Sequence, residues 1–493
     1  MKKLLVFSSM VAMLGLASCT DLTENVYGVI PKENFGKTAD QLASLLAPVY
    51  ANLRGYAWHM HNAEVTTDVG LVPTRGQDWY DGGNWLNYNR HTWSTTHGPI
   101  NDMWGFLYDG IGSVNQLIPQ LTGNTKAISE LRAVRAFYYF LAMDYFGNVP
   151  LVTETTKGSV TNATRAQIYD YVVAELTAAL PDLTDGAAYG RINKMTANAI
   201  LAKTYLNAGV YKGTPDWQKC VDACTAIISS GRYSLEPNFL ANFAVANEGS
   251  KESIWSIPFD RFQAGGMNIQ MRTLHYGNQS TYNLAGAPWN GFCTIAEFYD
   301  SFSSDDARKK MFIAGPQYQG DGKTPILDAN NKPLVFDPKM TKDEMKASDP
   351  EFQGAGVRLG KYEIQKNNTV NDQDNDWVMF RLGDVYLMRA EANFRLGKTA
   401  DALTDLNVIR SRAGVAAWKA SDVTAENILA ERGRELAWEA WRRNDLVRFG
   451  EYNKVGGKFT SKFMKEASTK TLLFPIPQQR LDANPGLKQN PGY

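Results

Sequence analysis

The chain is poor in the residues that most often announce chemistry. It has four cysteines and five histidines among 493 residues. Cys220 and Cys224 stand four apart on an expected helix, a spacing poorly suited to a disulfide. With Cys293 they read as buried thiols, and no Cys/His cluster has the spacing of a zinc site. His59, His61, His91 and His97 share one zone and read as hydrogen-bonded loop residues, so neither a metal nor a cofactor is expected. An excess of one charge is also missing, since Lys+Arg and Asp+Glu both number 51. That balance argues against nucleic acid or acidic lipid as the main partner. After the first residues no stretch of about 20 uninterrupted apolar residues occurs, so no membrane span is expected.

What is present begins with "MKKLLVFSSMVAMLGLASC". Lys2 and Lys3 precede an apolar core, Leu4 to Leu16, of signal-peptide length. Leu16-Ala17-Ser18-Cys19 then matches a lipobox, the pattern in which the cysteine is lipidated and becomes the mature N-terminus. Residues 1–18 are the expected signal peptide. The mature chain is expected to be tethered to a membrane through Cys19, because each buried methylene contributes ~0.8 kcal/mol and two acyl chains hold stably.

Helical periodicity is strong in 39–54, 129–147, 163–180, 195–208, 216–230, 380–397 and 399–414. Gly147 and Pro150 close the second of these. "AENILAERGRELAWEAWRRNDLVRFG" (425–450) reads as one charged, amphipathic last helix. Its Glu431, Arg434, Glu435, Glu439, Arg442 and Asp445 fall at three- and four-residue spacings that suit ion pairs. They form either a solvated face or a network at a seam. Ala392, Leu396-Gly397 and Ala402 resemble the close contact of a tetratricopeptide unit, and about four helix pairs are expected. The tail "PIP…NP…NPGY" is expected to lie as an extended, non-helical strap. "NDQDND" (371–376) loosely resembles a calcium loop, but Trp377 and Gly383 occupy positions that need Gly and Glu, so it reads as a solvated turn.

Large rings concentrate where periodicity fails. "RGQDWYDGGNWLNYNRHTW" (75–93) sets tryptophans and tyrosines among Gly, Asn and Asp, and "LHYGNQSTYNLAGAPWNGF" (274–292) does so again. Rings on such loops mark a candidate binding surface. Trp58, Trp93, Trp104 and Tyr108 are read as core instead, the last two beside an expected helix at 100–118.

Five motifs in order carry a resemblance: "RAVRAFYYFLAMDYFGNVPLV" (132–152), "FRLGDVYLMRAEA" (380–392), "ALTDLNVIRSRAG" (402–414), "ERGRELAWEAWRRNDLVRFG" (431–450) and "LFPIPQQRLDANPGLKQNPGY" (473–493). With the lipobox, the chain resembles the SusD/RagB family of outer-membrane lipoproteins of Bacteroidetes. The resemblance implies an all-α SusD-like fold over 19–493, with tetratricopeptide-like pairs as scaffold (about 38–54, 129–231 and 380–450). Large loop-rich insertions (about 55–128 and 232–376) would then carry the ligand. It implies a cell-surface location, and a SusC-like TonB-dependent transporter as partner. It implies an oligosaccharide or polysaccharide ligand, bound and not cleaved.

A pyranose has an apolar C–H face, on which rings stack, and a hydroxyl rim that polar side chains bond. The candidate ligand residues are Asp68, Arg75, Asp78, Trp79, Tyr80, Asp81, Asn84, Trp85, Tyr276, Tyr282, Trp289 and Asn290. Two rivals stand beside this. A peptide-binding, RagB-like member would need backbone-pairing edges and charged pockets. A glycoside hydrolase would need two carboxylates flanking the bond, with Asp68, Asp78 and Asp81 the nearest to the rings.

Overall fold

The computed structural model describes residues 38–186 and 188–493. Cys19 and the segment 1–18 lie outside the described residues. The chain divides into two units, Met1–Leu46 and Ala47–Tyr493. Helix α1 (Ala39–Asn52) begins in the first and ends in the second. The helices that follow are α2 (Tyr56–Ala63), α3 (Asn84–Arg90), α4 (Gly98–Leu117), α5 (Thr125–Phe146), α6 (Arg165–Ala179), α7 (Lys194–Leu206) and α8 (Trp217–Ser229). After a long irregular stretch come α9 (Leu382–Arg395), α10 (Thr399–Ala413), α11 (Ala425–Leu436) and α12 (Arg442–Phe449). The fold is mainly α-helical, and the strands among the described residues are short and form two-stranded pairs. The longest pair sets Ser253–Ile257 antiparallel to Trp377–Arg381.

Four helix pairs build the scaffold: α5 with α6, α7 with α8, α9 with α10, and α11 with α12. The centre is α5, in which every residue from Ala133 to Phe146 is buried. That stretch is apolar except for Arg135 and Asp144, which are paired, and a helix apolar on nearly all sides belongs in the interior. Its start is capped by Asn124, which accepts the Ala127 N–H at 3.1 Å. Its end is Gly147, at φ 74°. Helix α4 lies close against it, because Gly110 faces the Tyr138 ring where a Cβ would come within 2.2 Å. Between α9 and α10, Leu387, Ala390, Ala402, Leu406 and Ile409 form one cluster. Each fully buried Leu or Ile there contributes roughly 2 kcal/mol.

The last helix departs from expectation. Residues 425–450 form two helices, broken at 437–441, with Trp438 at φ 62° and Ala440 at φ 66°. Non-glycine residues in that region persist only when their surroundings hold them. The holder is Glu64, whose carboxylate accepts the N–H of Trp438 and that of Arg442, both at 2.9 Å. It thereby caps α12 from a distant part of the chain. Burial pushes the Glu64 carboxyl up to about 7, against the opposing pull of those N–H groups and Lys361. The Trp438 indole donates to Thr294 at 2.9 Å, which completes the clamp.

The charges of this segment form a buried network, the seam alternative and not the solvated face. Arg381 reaches Glu252 at 2.8 Å, Glu435 at 2.5 Å and Glu439 at 2.7 Å. Arg308 joins Glu431 and Glu435, and Arg412 joins Glu252 and Glu435. A second knot ties Arg432 to Asp445 at 2.8 Å, Arg448 to Glu391 at 2.7 Å and Lys203 to Asp384 at 2.5 Å. Burial alone would raise the Glu435 carboxyl. The guanidiniums of Arg412, Arg381 and Arg308 outweigh it and hold the group well below the usual carboxylate range.

Two further expectations are corrected. The 371–376 segment is a tied turn and not a solvated one: Asp376 accepts Tyr189 Oη–H at 2.6 Å and the Phe259 N–H at 2.7 Å. A strand, Trp377–Arg381, then precedes α9. Among the described residues no group of His, Cys, Asp and Glu is arranged to hold a metal ion. The tail is a strap, as expected, but one turn of it is helical, Gln478–Ala483. Pro477 precedes that turn, where its missing N–H costs nothing, and Pro485 follows it. The strap is fastened by the Phe474 N–H on Tyr145 O at 2.8 Å and by the Trp93 indole on Tyr493 Oη at 2.7 Å.

Candidate functional site

Four separate pieces of chain meet in one cleft. Its volume is about 520 Å³, and it is lined by Trp58, Asp78, Trp79, Asp81, Trp85, Tyr276, Ala287, Pro288 and Trp289. The first piece is α2, which presents Trp58. The second is the turn 75–83. It starts where Thr74–Arg75 runs parallel to Glu344–Met345, and Arg75 and Asp78 close it by exchanging backbone hydrogen bonds at 3.1 and 3.0 Å. Trp79 and Asp81 then adopt positive φ, 58° and 41°, followed by Gly82 and Gly83. Positive φ at a tryptophan is sterically unfavourable, and strain of this kind concentrates at functional sites. The third piece is α3, with Trp85. The fourth is 276–291, pinned by the Trp289 N–H on Met271 O at 2.6 Å and the Asn290 N–H on Leu274 O at 2.8 Å.

The rings hold one another at steep angles. Trp79 stands 5.2 Å from Trp85 at 72° and 6.4 Å from Trp289 at 49°. Phe292 supports Trp79 and Trp85 from below, edge-on, at 5.5 and 5.4 Å. Gly291 lies flat under Trp79, since a Cβ there would come within 2.4 Å of the indole. Behind Trp58, the Arg272 guanidinium stacks at 4.3 Å from the ring centre, a contact that holds the indole in place. Burial pulls the Arg272 guanidinium down to about 9.

Each polar contact inside this group also fixes a ring. Trp79 Nε1 donates to Trp289 O at 2.6 Å, and Trp85 Nε1 donates to Asp81 Oδ2 at 2.7 Å. The Tyr276 hydroxyl donates to the Asp78 carboxylate. Burial, then the Asp78 charge, holds that phenol protonated well beyond its ordinary range. Such a surface can stack a flat apolar face and accept hydrogen bonds from a polar rim.

The structure sorts the expected residues. It brings Asp78, Trp79, Asp81, Trp85, Tyr276 and Trp289 together. It places three others inside the wall. Asp68 is buried against Arg442, with two contacts of 2.7 Å. Arg75 spends its guanidinium on Asn290 O and Ala355 O, at 2.6 and 2.9 Å. Asn290 is buried and accepts Arg358 Nη2 at 2.7 Å. Tyr80 is 46% exposed yet does not line the cleft. Asn84 starts α3, and its backbone carbonyl bonds His97. Tyr282 lies with Trp289 on the Met271, Leu274, Leu284 and Ile364 cluster and faces a second cleft. Trp58, expected as core, lines the first. Trp93 and Trp104 are buried, as read from the sequence. Burial lowers His59, His91 and His97 to about 4, so these imidazoles are neutral at pH 7.

Two family models match the chain. One, described as "Starch-binding associating with outer membrane", covers residues 32–206. The other, described as "SusD family", covers residues 340–493. The chain belongs to the SusD/RagB family. The starch-binding protein SusD of Bacteroides thetaiotaomicron is 29% identical over 438 residues, 78% of this chain and 77% of that protein. Among solved structures, surface glycan-binding protein A from Bacteroides thetaiotaomicron in complex with laminarihexaose shares the fold with a TM-score of 0.73. It is 22% identical and covers 92% of this chain and 99% of that one. A laminarin-binding SusD-like protein superposes with a TM-score of 0.74 at 23% identity, over 93% of this chain and 100% of its own. Within this SusD-family chain, residues 207–339 fall between the two matched segments, and Tyr276 and Trp289 are there. The turn with Trp79 and Trp85 falls inside the first.

Proposed function

We propose that this protein is a cell-surface lipoprotein that captures oligosaccharide or polysaccharide in the ring-lined cleft, without cleaving it. It is anchored through Cys19 and delivers its ligand to a SusC-like TonB-dependent transporter of the outer membrane. The observation that carries the proposal is the convergence of Trp58, Trp79, Trp85, Tyr276 and Trp289 on one cleft with Asp78 and Asp81. Ring faces match the C–H face of a pyranose, and carboxylate oxygens match its hydroxyl rim. The transporter and the surface location rest on family membership, and the anchor rests on the lipobox.

Non-catalytic binding is supported by the setting of the two carboxylates. Glycoside hydrolysis needs one carboxyl kept protonated in an apolar enclosure. Asp78 and Asp81 are both exposed, and each already accepts a hydrogen bond from a lining ring. A glycan screen by affinity electrophoresis, with starch and laminarin among the polymers, tests the proposal. Retention of at least one glycan is expected, with loss of retention in Trp58→Ala and Trp289→Ala. Release of new reducing ends would overturn the non-catalytic part. Binding of peptide mixtures with no glycan retained would overturn the ligand class.

A further inference from the structure

The donors and acceptors of the cleft define more than a sugar-shaped site. Three ring donors are already used inside the protein: Trp79 Nε1 on Trp289 O, Trp85 Nε1 on Asp81, and Tyr276 Oη on Asp78. Two indole N–H groups, those of Trp58 and Trp289, have no acceptor among the described residues. The remaining polar capacity consists of carboxylate oxygens. Among the described residues, no lysine or arginine lines this cleft. Three guanidiniums stand behind its wall, but they are turned inward. Arg75, Arg272 and Arg358 are at most 2% exposed. Much of their N–H capacity goes to carbonyls and amide oxygens: Asn290 O and Ala355 O for Arg75, Ala57 O and Asn268 Oδ1 for Arg272, and Gly356 O and Asn290 Oδ1 for Arg358, while the Nε–H groups of Arg75 and Arg358 are buried within the wall. They offer a ligand no bond.

We infer that the cleft selects uncharged glycans and rejects glycans bearing carboxylates or sulfates, with Asp78 and Asp81 as the residues that set this specificity. The inference rests on the proposed function and adds the charge class of the ligand. A hydroxyl rim donates to the two carboxylates. A uronate oxygen beside those carboxylates would meet acceptors there, with only the Trp58 and Trp289 indole N–H groups elsewhere in the cleft to donate to it. It would also face two like charges at short range. Discrimination of this kind arises from a repulsive element as well as an attractive one.

The test takes a neutral oligosaccharide that the protein retains and its own C6-carboxylate form, made by oxidising the primary hydroxyls. Both are titrated by calorimetry into wild type and into the double variant Asp78→Asn/Asp81→Asn, at low and at high salt. The expected result is binding of the neutral form, with the oxidised form at least roughly tenfold weaker at low salt. Salt should narrow that gap by screening, and the double variant should close it to about twofold. A loss of fit alone would ignore both salt and the two amides. Melting curves of the double variant confirm that it folds, since both residues are at the surface. Equal or tighter binding of the oxidised form overturns the charge selection and leaves glycan capture standing. So does a gap that persists unchanged in the double variant. Failure of neutral and charged glycans alike removes both.

Discussion

Two regions of this molecule use the same materials to opposite ends. The seam under α11 and α12 and the ring-lined cleft both combine aromatic rings with carboxylates. In the seam, every carboxylate of the Arg381 cluster meets a cation, and the group is closed off from water: Arg381, Glu252 and Glu435 are all 0% exposed. In the cleft, Asp78 and Asp81 meet neutral donors and remain exposed. A satisfied, buried network specifies a fold and has nothing left to give a ligand. A rigid surface that spends three of its ring donors internally, and whose carboxylates face outward, is prepared for one. Charged and aromatic residues thus mark structure or binding according to where their hydrogen bonds end.

The comparison can be broken from the seam side first. Arg381→Ala leaves three carboxylates buried together without their shared cation, and should cost about 3–5 kcal/mol or more. Denaturant unfolding or loss of soluble protein will show it, and stability close to wild type would mean the seam is wetter than described. Next is Trp85→Ala. Trp85 lines the cleft but is only 4% exposed, so its loss should cost about 3 kcal/mol of stability as well as binding. A variant with an unchanged melting temperature would return Trp85 to the exposed rings.

Acid probes both regions. His91 is buried and its imidazole is lowered to about 4 from an ordinary 6.5. The unfolded chain therefore takes up that proton first. The stability from neutral His91 is complete above about 6.5 and drains away as pH falls toward 4, up to about 3 kcal/mol. His97, His59 and His275 shift the same way. Glu64 opposes them, because its carboxyl is raised to about 7 in the fold from 4.5. Its contribution is full below 4.5 and is lost as pH rises through 7. With His61, which burial also lowers, five imidazoles stand against the raised carboxyls of Glu64, Asp376 and Asp405, and they predict a melting temperature lower at pH 5 than at pH 7.5; a flat profile between those values would refute the burial of the imidazoles.

Smaller effects sharpen the cleft itself. Trp289 is half-buried, and its bond from Trp79 is made by the backbone carbonyl, which survives truncation. Trp289→Ala should weaken glycan binding by roughly tenfold, about 1–2 kcal/mol, with a much smaller fall in stability. Calorimetry beside a melting curve separates the two. Tyr80→Ala should change stability by no more than about 0.5 kcal/mol and leave affinity unaltered, because the ring stands outside the cleft. A clear loss of binding would extend the site across Tyr80.

Much of the scaffold was legible because helices are local. The observed limits of α6, α7, α8 and α10 fall within a few residues of the periodic segments, and Gly147 ends α5 as its type suggests. The break at 437–441 was not legible. No proline or glycine marks it, and its cause is the carboxylate of Glu64, far away in sequence. Asp68, Arg75 and Asn290 looked like ligand residues because polar side chains beside rings are the right chemistry for sugar. Their partners, Arg442, Ala355 and Arg358, lie elsewhere in the chain and draw them into the wall. From sequence Trp58 reads as core: it stands apart from the two ring-rich stretches, and nothing local says which side of the short helix Tyr56–Ala63 another loop will leave open.

By itself, the sequence determined the helical scaffold, its family and the wealth of rings in two aperiodic stretches, since periodicity, capping and composition act over a few residues. The tertiary structure alone decided that Trp58, Trp79, Tyr276 and Trp289 share one cleft while Arg75 and Asp68 do not. Burial and hydrogen-bond partnership depend on which distant segments meet. They assign each polar group either to the protein or to whatever enters from outside.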